Sequence, residues 1–221
     1  MIFTSKNKAK ITTNTIKIII HSFIFMHLYL KKIIANKIDL FNKKCYNFLG
    51  DFMINIVLFE PEIPGNTGNI MRTAVATNSK LHLIKPLGFS LEDKYVKRSA
   101  VNYLEHLDYT VYENWADFKS KNEGTFYYLT RYGKKPHTSF DYSNKDENIY
   151  LVFGKERTGI PKEILREDLD HCMRIPMTDK VRALNLSNSV AIMVYEVLRQ
   201  QDFNDLLFKE PHKSEDFIIE D

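Results

Sequence analysis

The chain has 221 residues, a formal net charge of +3, 27% charged and 44% hydrophobic residues, proportions that suit one soluble α/β domain with an appendage. Its two cysteines, Cys45 and Cys172, lack metal spacing, which argues against a disulfide framework and for a reducing cytosol. The charge is uneven. Residues 1–52 carry nine Lys against Asp39 and Asp51, or +7, which leaves −4 for residues 53–221. That balance excludes a global polyanion binder and leaves only a local basic patch for nucleic acid.

Residues 1–52 are rich in Lys, Asn and Ile, with Gly50 and no proline. The apolar run Ile18–Leu30, interrupted by His21, Ser22 and His27, is shorter than the ~20 residues a spanning helix needs. No small-x-small cleavage site follows it closely. The expectation is an N-terminal extension outside the fold, with the functional start at Met53. The alternatives are a membrane-surface amphipathic helix or a signal segment.

From Met53 the elements alternate. Ile54–Phe59 is a buried strand closed by Glu60-Pro-Glu-Ile-Pro-Gly-Asn-Thr-Gly-Asn69, whose prolines stop it. Asn66 or Thr67 caps a predicted helix reaching about Thr77. Lys80–Ile84 is a second strand, and Asp93–Leu104 reads as a helix with Lys94, Lys97 and Arg98 on one face. A short strand follows over His106–Tyr112, then an Asn114–Lys121 helix with Trp115 in the core, then the strand Thr125–Leu129. The basic loop Thr130–Pro136 comes next, then strand Ile149–Phe153 running into Gly154-Lys-Glu-Arg-Thr-Gly-Ile-Pro161. Pro161 opens a helix to Leu165, Met173–Met177 is a strand, and a polar loop leads to a last helix from about Leu186 to Gln201. Its apolar stripe is Leu186, Val190, Met193, Val194, Val197 and Leu198. After Phe203, residues 204–221 read as an acidic disordered tail. The alternation predicts an α/β fold, a mostly parallel sheet flanked by helices. Such sheets place ligands at the carboxyl ends of their strands, which directs attention to Ile149–Tyr195.

Several chemistries lack their templates. There is no G-x-G-x-x-G, P-loop, G-x-S-x-G elbow or H-E-x-x-H, and the seven histidines are scattered, so no metal site is expected. Polar residues at strand ends remain: Asn66, Arg72, Glu156, Asn185, Ser187 and Asn188. Individually each has a plain structural reading. Asn66, Asn185 and Ser187 can cap helices, and Glu156 can complement a helix dipole.

Together they form a pattern. Asn66-x5-Arg72, Gly154–Pro161, and Ile175-Pro-Met followed by Leu184-Asn-Leu-Ser-Asn-Ser-Val-Ala191 resemble the three motifs of the SPOUT methyltransferases. The segment Glu60–Asn69 resembles the small members that 2'-O-methylate the wobble nucleotide of tRNA. The resemblance spans Met53 to Phe203. It implies a C-terminal trefoil knot, S-adenosylmethionine as cofactor and a cytoplasmic homodimer acting on the tRNA anticodon loop, with no metal and no membrane role for residues 53–221. By position it implies cofactor contacts at Leu129, Gly154, Ile175 and Ala183. It implies a catalytic role for Arg72, held with the motif loops by Asn66 and Glu156, while Asn185 fixes the third loop. Tyr195, read on the inner face of the last helix, would line the substrate side. Arg131, Lys134, Lys135, Arg157, Lys180 and Arg182 would hold phosphates, which position RNA without reading it.

Two departures stand out: Ala183 where the family often has serine, and the N-terminal extension. Competing expectations are another tRNA or rRNA position, or a weakly catalytic RNA-binding dimer.

Overall fold

The computed structural model describes residues 54–92, 101–204, 206–214 and 216–219. Strands β1 (Ile54–Phe59), β2 (Lys80–Ile84), β3 (Tyr109–Tyr112), β4 (Thr125–Leu129), β5 (Lys135–Pro136), β6 (Ile149–Phe153) and β7 (Cys172–Arg174) form one sheet. Their order is β3-β2-β1-β6-β4-β7-β5, and every pairing is parallel. A parallel sheet is covered on both faces, so its central strands are continuously apolar rather than alternating. β1 and β6 are buried along their whole length.

Helices α1 (Pro64–Ala76) and α4 (Leu186–Gln200) cover one face, and α2 (Trp115–Lys121) and α3 (Lys162–Glu167) the other. Side chains of one strand alternate between the two layers. Ile56 and Leu58 join Ile70, Val190, Met193 and Val194 in the first core, while Val57 and Phe59 join Phe118, Ile164 and Leu165 in the second. The predicted stripe of α4 is the buried face of that helix, with Leu186 part-buried at its start.

The second core contains a polar insert. His82 is fully buried, with Nε2 2.9 Å from Asn55 Oδ1 and Nδ1 2.9 Å from Tyr112 Oη. Asn55 Nδ2 donates to the Ile149 carbonyl at 3.4 Å, so Asn55 presents only its oxygen to the ring. An oxygen can only accept, which places the ring proton on Nε2 and makes Nδ1 the acceptor of the Tyr112 hydroxyl. Burial, with a smaller contribution from Lys80, lowers the imidazole pKa to about 3, so the ring is neutral.

The boundaries differ from the sequence reading where long-range contacts decide them. α1 starts at Pro64 and Ile63 occupies its N-cap without a side-chain bond; neither Asn66 nor Thr67 caps it. Pro161 precedes α3 instead of opening it. β7 is Cys172–Arg174, not Met173–Met177, because Pro176 has no N–H to continue a ladder. A 3-10 turn at Val101–His106 delays β3 to Tyr109. The predicted basic helix face at Lys94, Lys97 and Arg98 lies outside the described residues, as do residues 1–52. Trp115 is only part-buried, its ring edge-on to Phe59 at 6.2 Å. Beyond α4, Leu206 packs part-buried against the first core. No helix among the described residues is long and apolar enough to cross a membrane.

Candidate active site

β1, β6, β4 and β7 are neighbours, so the chain segments that leave their carboxyl ends converge at one end of the sheet. These segments are the start of α1, the turn Gly154–Pro161, the loop Thr130–Lys134 and the loop Ile175–Asn185. A relay of side chains ties three of them together. Glu156 Oε2 accepts from Glu62 N at 2.8 Å, and Oε1 accepts from Ile63 N at 3.2 Å and from Asn66 Nδ2 at 3.0 Å. Asn66 Oδ1 accepts from Asn185 Nδ2 at 2.9 Å. Asn185 Oδ1 in turn accepts from Ser187 N at 2.9 Å and Ser187 Oγ at 2.7 Å.

The chemistry of the relay fixes its direction. An ionised carboxylate only accepts and a backbone N–H only donates. The Asn66 amide must turn its NH2 towards Glu156, so its oxygen meets Asn185, whose own oxygen then caps α4 at Ser187. Neither amide can flip without losing bonds at both ends. Glu156 also supplies what the start of α1 lacks locally: its negative charge sits at the helix N-terminus, where the macrodipole favours it.

Further bonds close the same corner. Glu62 Oε2 accepts from Arg157 N at 3.1 Å, and Lys155 pairs with Glu60. Lys155 and Gly159 form an antiparallel bridge, with Gly159 at φ +76°. A Cβ on Gly154 would lie 2.2 Å from the Gly159 carbonyl carbon, so the turn folds flat on itself only with glycine there. Sequence reading passed over Glu60 and Glu62, although the acidic residues flanking Pro61 were the available signal. It also passed over Tyr103, whose ring centroid lies 5.4 Å from the Arg72 guanidinium carbon.

The predicted site residues divide into groups. Asn66, Glu156 and Asn185 are joined directly. Arg72 is exposed on α1 and, among the described residues, makes no hydrogen bond to them, so the expectation that Asn66 and Glu156 hold its side chain is corrected; they hold the loops. Leu129 and Ile175 are part-buried at the ends of β4 and β7, beside Gly154 at the end of β6. The three thus end adjacent strands across ~10 Å. Ala183, Arg131, Arg157 and Arg182 are exposed on the converging loops. Arg131 stacks over Tyr132 at 4.7 Å and donates to its hydroxyl.

Tyr195 does not face this corner. It is 47% exposed and lines a groove of about 610 Å³ with Val75, Ala76, Leu206, Leu207 and Phe208. From Asn66 to Val75 along α1 is ~13 Å at 1.5 Å per residue. The helical period explains the displacement: with Val190, Val194 and Val197 inward, Tyr195 turns ~100° away from Val194. Among the described residues, no cluster of His, Cys, Asp or Glu could hold a metal ion.

The all-parallel sheet flanked by helices matches the fold of solved SpoU methyltransferases. A model of the SpoU rRNA Methylase family matches residues 53–195, and the chain belongs to this family. A Geobacillus stearothermophilus protein provisionally named tRNA (cytidine(34)-2'-O)-methyltransferase is 53% identical over 154 residues, covering 69% of this chain and 98% of that protein. A Bacillus anthracis structure, provisionally an RNA methyltransferase, superposes with TM-score 0.68 at 52% identity, covering 71% of this chain and 99% of that one. A structure concerned with the 2-OH methylation of C/U34 on tRNA superposes with TM-score 0.65 at 35% identity, covering 70% and 100%.

Proposed function

We propose that this protein transfers a methyl group from S-adenosylmethionine to the ribose 2'-OH of the wobble cytidine or uridine of tRNA. The relay Glu156–Asn66–Asn185 carries the reading. It binds together the three segments that carry the motifs, beside three adjacent strand ends whose residues suit a cofactor. Leu129 and Ile175 offer part-buried apolar contact, and Gly154 lets the turn after β6 pack flat beside them. S-adenosylmethionine bound there supplies an electrophilic methyl on a sulfonium. Part-buried apolar walls favour the charge-cancelling transfer from it.

The chain must then bring up the ribose and stabilise its 2'-oxygen, while the hydroxyl proton leaves to solvent water as the O–H bond gives way to the O–methyl bond. Arg72 is exposed and free of ion pairs among the described residues, and Tyr103 supports its guanidinium. An arginine stays protonated at neutral pH, so Arg72 holds an RNA phosphate and stabilises the developing alkoxide electrostatically. Arg131, Arg157 and Arg182 extend positive charge over the loops of the same corner for the anticodon backbone. The exposed Tyr132 ring beside Arg131 gives a base a surface on which to stack.

Two larger features complete the proposal. The loop from β4 crosses β7 to reach β5 and then returns to β6, and β7 lies between β4 and β5. The chain leaving β7 brings Asn185 to Asn66, and this return from a strand laid between β4 and β5 is what supports a trefoil knot. The exposed Tyr195 of α4 shares a groove with Val75 and Ala76 of α1, and Ile192 is exposed one turn earlier on α4. This apolar face supports a homodimer, placing Tyr195 between two copies in place of a substrate wall. Residues 1–52 are proposed to lie outside the catalytic domain, the described tail beyond Phe203 to be dispensable for catalysis, and the protein to work in the cytoplasm, where tRNA is.

Total tRNA incubated with the protein and methyl-labelled S-adenosylmethionine should carry label on the wobble ribose. Arg72→Ala should lower kcat/KM by roughly a hundredfold or more. Label mapped to another nucleotide reassigns the substrate, and an absence of label with unmodified tRNA rejects the activity.

A further inference from the structure

The helix that delivers Asn185 to the relay also grips, at its other end, the Phe140–Tyr142 segment that precedes β6. Gln200 and Gln201 bracket one peptide unit on each side of Tyr142. Gln200 Oε1 accepts from Tyr142 N at 2.8 Å, and Gln201 Nε2 donates to Tyr142 O at 2.9 Å. Gln200 Nε2 also donates to Phe140 O at 3.1 Å and to Glu196 Oε1 at 2.8 Å. Glu196 is itself held by Arg199 through two bonds of 2.9 Å. The amide of Gln200 is therefore oriented before it meets the loop.

Tyr142 passes the grip onward. Its side chain is 1% exposed, and its hydroxyl lies 2.9 Å from His137 O and 3.2 Å from Met173 Sδ. His137 follows β5, which pairs with β7 at Lys135↔Met173. Met173 O accepts from Thr130 N at 2.9 Å, and Gly133 packs so closely on Met173 that a Cβ would lie 2.3 Å from its carbonyl carbon. The contacts run without a gap from the end of α4, through Tyr142 and Met173, to the Leu129–Gly133 bend. α4 is 15 residues long, a strut of ~22 Å with the motif relay at its start and this bracket at its end.

We propose that Gln200 and Gln201 are positioning residues for the methyltransferase site. By fixing the Phe140–Tyr142 peptide they hold the Leu129–Gly133 bend in the register that binds S-adenosylmethionine, coupling it through α4 to Asn185. This rests on the reading of the strand ends as the cofactor site. The bracket is made of neutral, main-chain-directed bonds and contributes nothing to the chemical step, so its loss acts on binding. A helix end fastened to a loop is commonly structural, and a purely structural bracket alters stability alone.

The test uses the full chain with Gln200→Ala, Gln201→Ala and the double substitution, and Tyr142→Phe, which keeps the bracket but removes the hydroxyl that carries it to Met173. Calorimetry measures S-adenosylmethionine binding, hydrogen exchange follows residues 129–142, and steady-state assays separate kcat from KM. In the double variant, cofactor affinity should fall about tenfold, as expected for the loss of a few net hydrogen bonds. Amides of Thr130–Gly133 as well as Tyr142 should exchange faster, and kcat at saturating cofactor should stay within about twofold. Should the double variant not fold, Gln201→Ala alone is expected to show the same pattern more weakly. Faster exchange confined to residues 137–142 with unchanged affinity overturns the proposal, as does a Tyr142→Phe variant that binds S-adenosylmethionine as tightly as wild type, because the route to Met173 runs through that hydroxyl. A wild-type chain that binds no S-adenosylmethionine overturns the cofactor site itself.

Discussion

Glu156 illustrates how one residue can carry two readings until its partners are known. The sequence permits a carboxylate at the start of its own helix. The fold sends it instead to the start of α1, where Glu62 N, Ile63 N and Asn66 Nδ2 all donate to it. Its partners lie ninety or more positions away, and no local pattern encodes such a bond. The buried His82 is a second case, and it has a measurable consequence. The ring's pKa is lowered from 6.5 to about 3 by burial. As pH falls from about 6.5 towards 3, the unfolded chain takes up a proton that the native chain refuses, so stability declines with falling pH across that window. Glu196, Asp117 and Asp141 are held below their ordinary values chiefly by side-chain hydrogen bonds; their stabilisation fades only at more acid pH. Urea midpoints measured between pH 6.5 and 5 should therefore fall, and a His82→Asn variant should show a shallower slope there. A native-state NMR signal assigned to the His82 imidazole, through its loss in His82→Asn, that titrates near 6.5 would refute the buried neutral ring.

At the scale of elements, hydropathy was a reliable guide where burial is complete. β1, β2, β4 and β6 occupy the residues read from sequence, because continuous β-branched and aromatic runs have one stable environment, the interior of a parallel sheet. The sequence fails at short elements whose limits depend on neighbours. β5 has two residues and exists because β7 lies beside it. The start of α1 is set by Pro64 and a distant carboxylate, not by Asn66. Gly133 shows the same dependence: nothing in Arg-Tyr-Gly-Lys announces that its α-carbon rests on Met173. Gly133→Ala would drive a methyl into backbone that has no flexible end to yield. It should cost about 2 kcal/mol or more, seen as a fall in thermal midpoint of roughly 5 °C, with weaker S-adenosylmethionine binding. A variant as stable as wild type would mean that the two segments do not approach so closely.

For the whole molecule, the outer face of the α1–α4 pair is the feature that a single chain leaves unresolved. Tyr195 is exposed beside Val75 and Ala76, and Ile192 is exposed one turn earlier on α4, on helices whose opposite faces fill the first core. In a dimer this surface is covered, and Arg72 on α1 comes near the boundary. Sedimentation at ~10 µM, a concentration at which micromolar or tighter association is visible, should give twice the chain mass. Ile192→Asp with Tyr195→Asp should move the protein towards the monomer with little change in far-UV circular dichroism. A wild-type monomer at that concentration would remove the dimer from the proposal.

The sequence by itself determined the alternation of strands and helices, the inward face of α4 and the candidate polar residues, because these follow from periodicity and side-chain chemistry over a few turns of chain. It also determined the family, through three motifs kept in order. The tertiary structure decided which polar residues meet. It joined Asn66, Glu156 and Asn185, left Arg72 exposed against Tyr103, turned Tyr195 outward, and fastened Tyr142 to the end of α4. The physical reason is range. A hydrogen bond between residues ninety or more positions apart depends on how a parallel sheet orders its strands, and that order is set only when the whole core is packed.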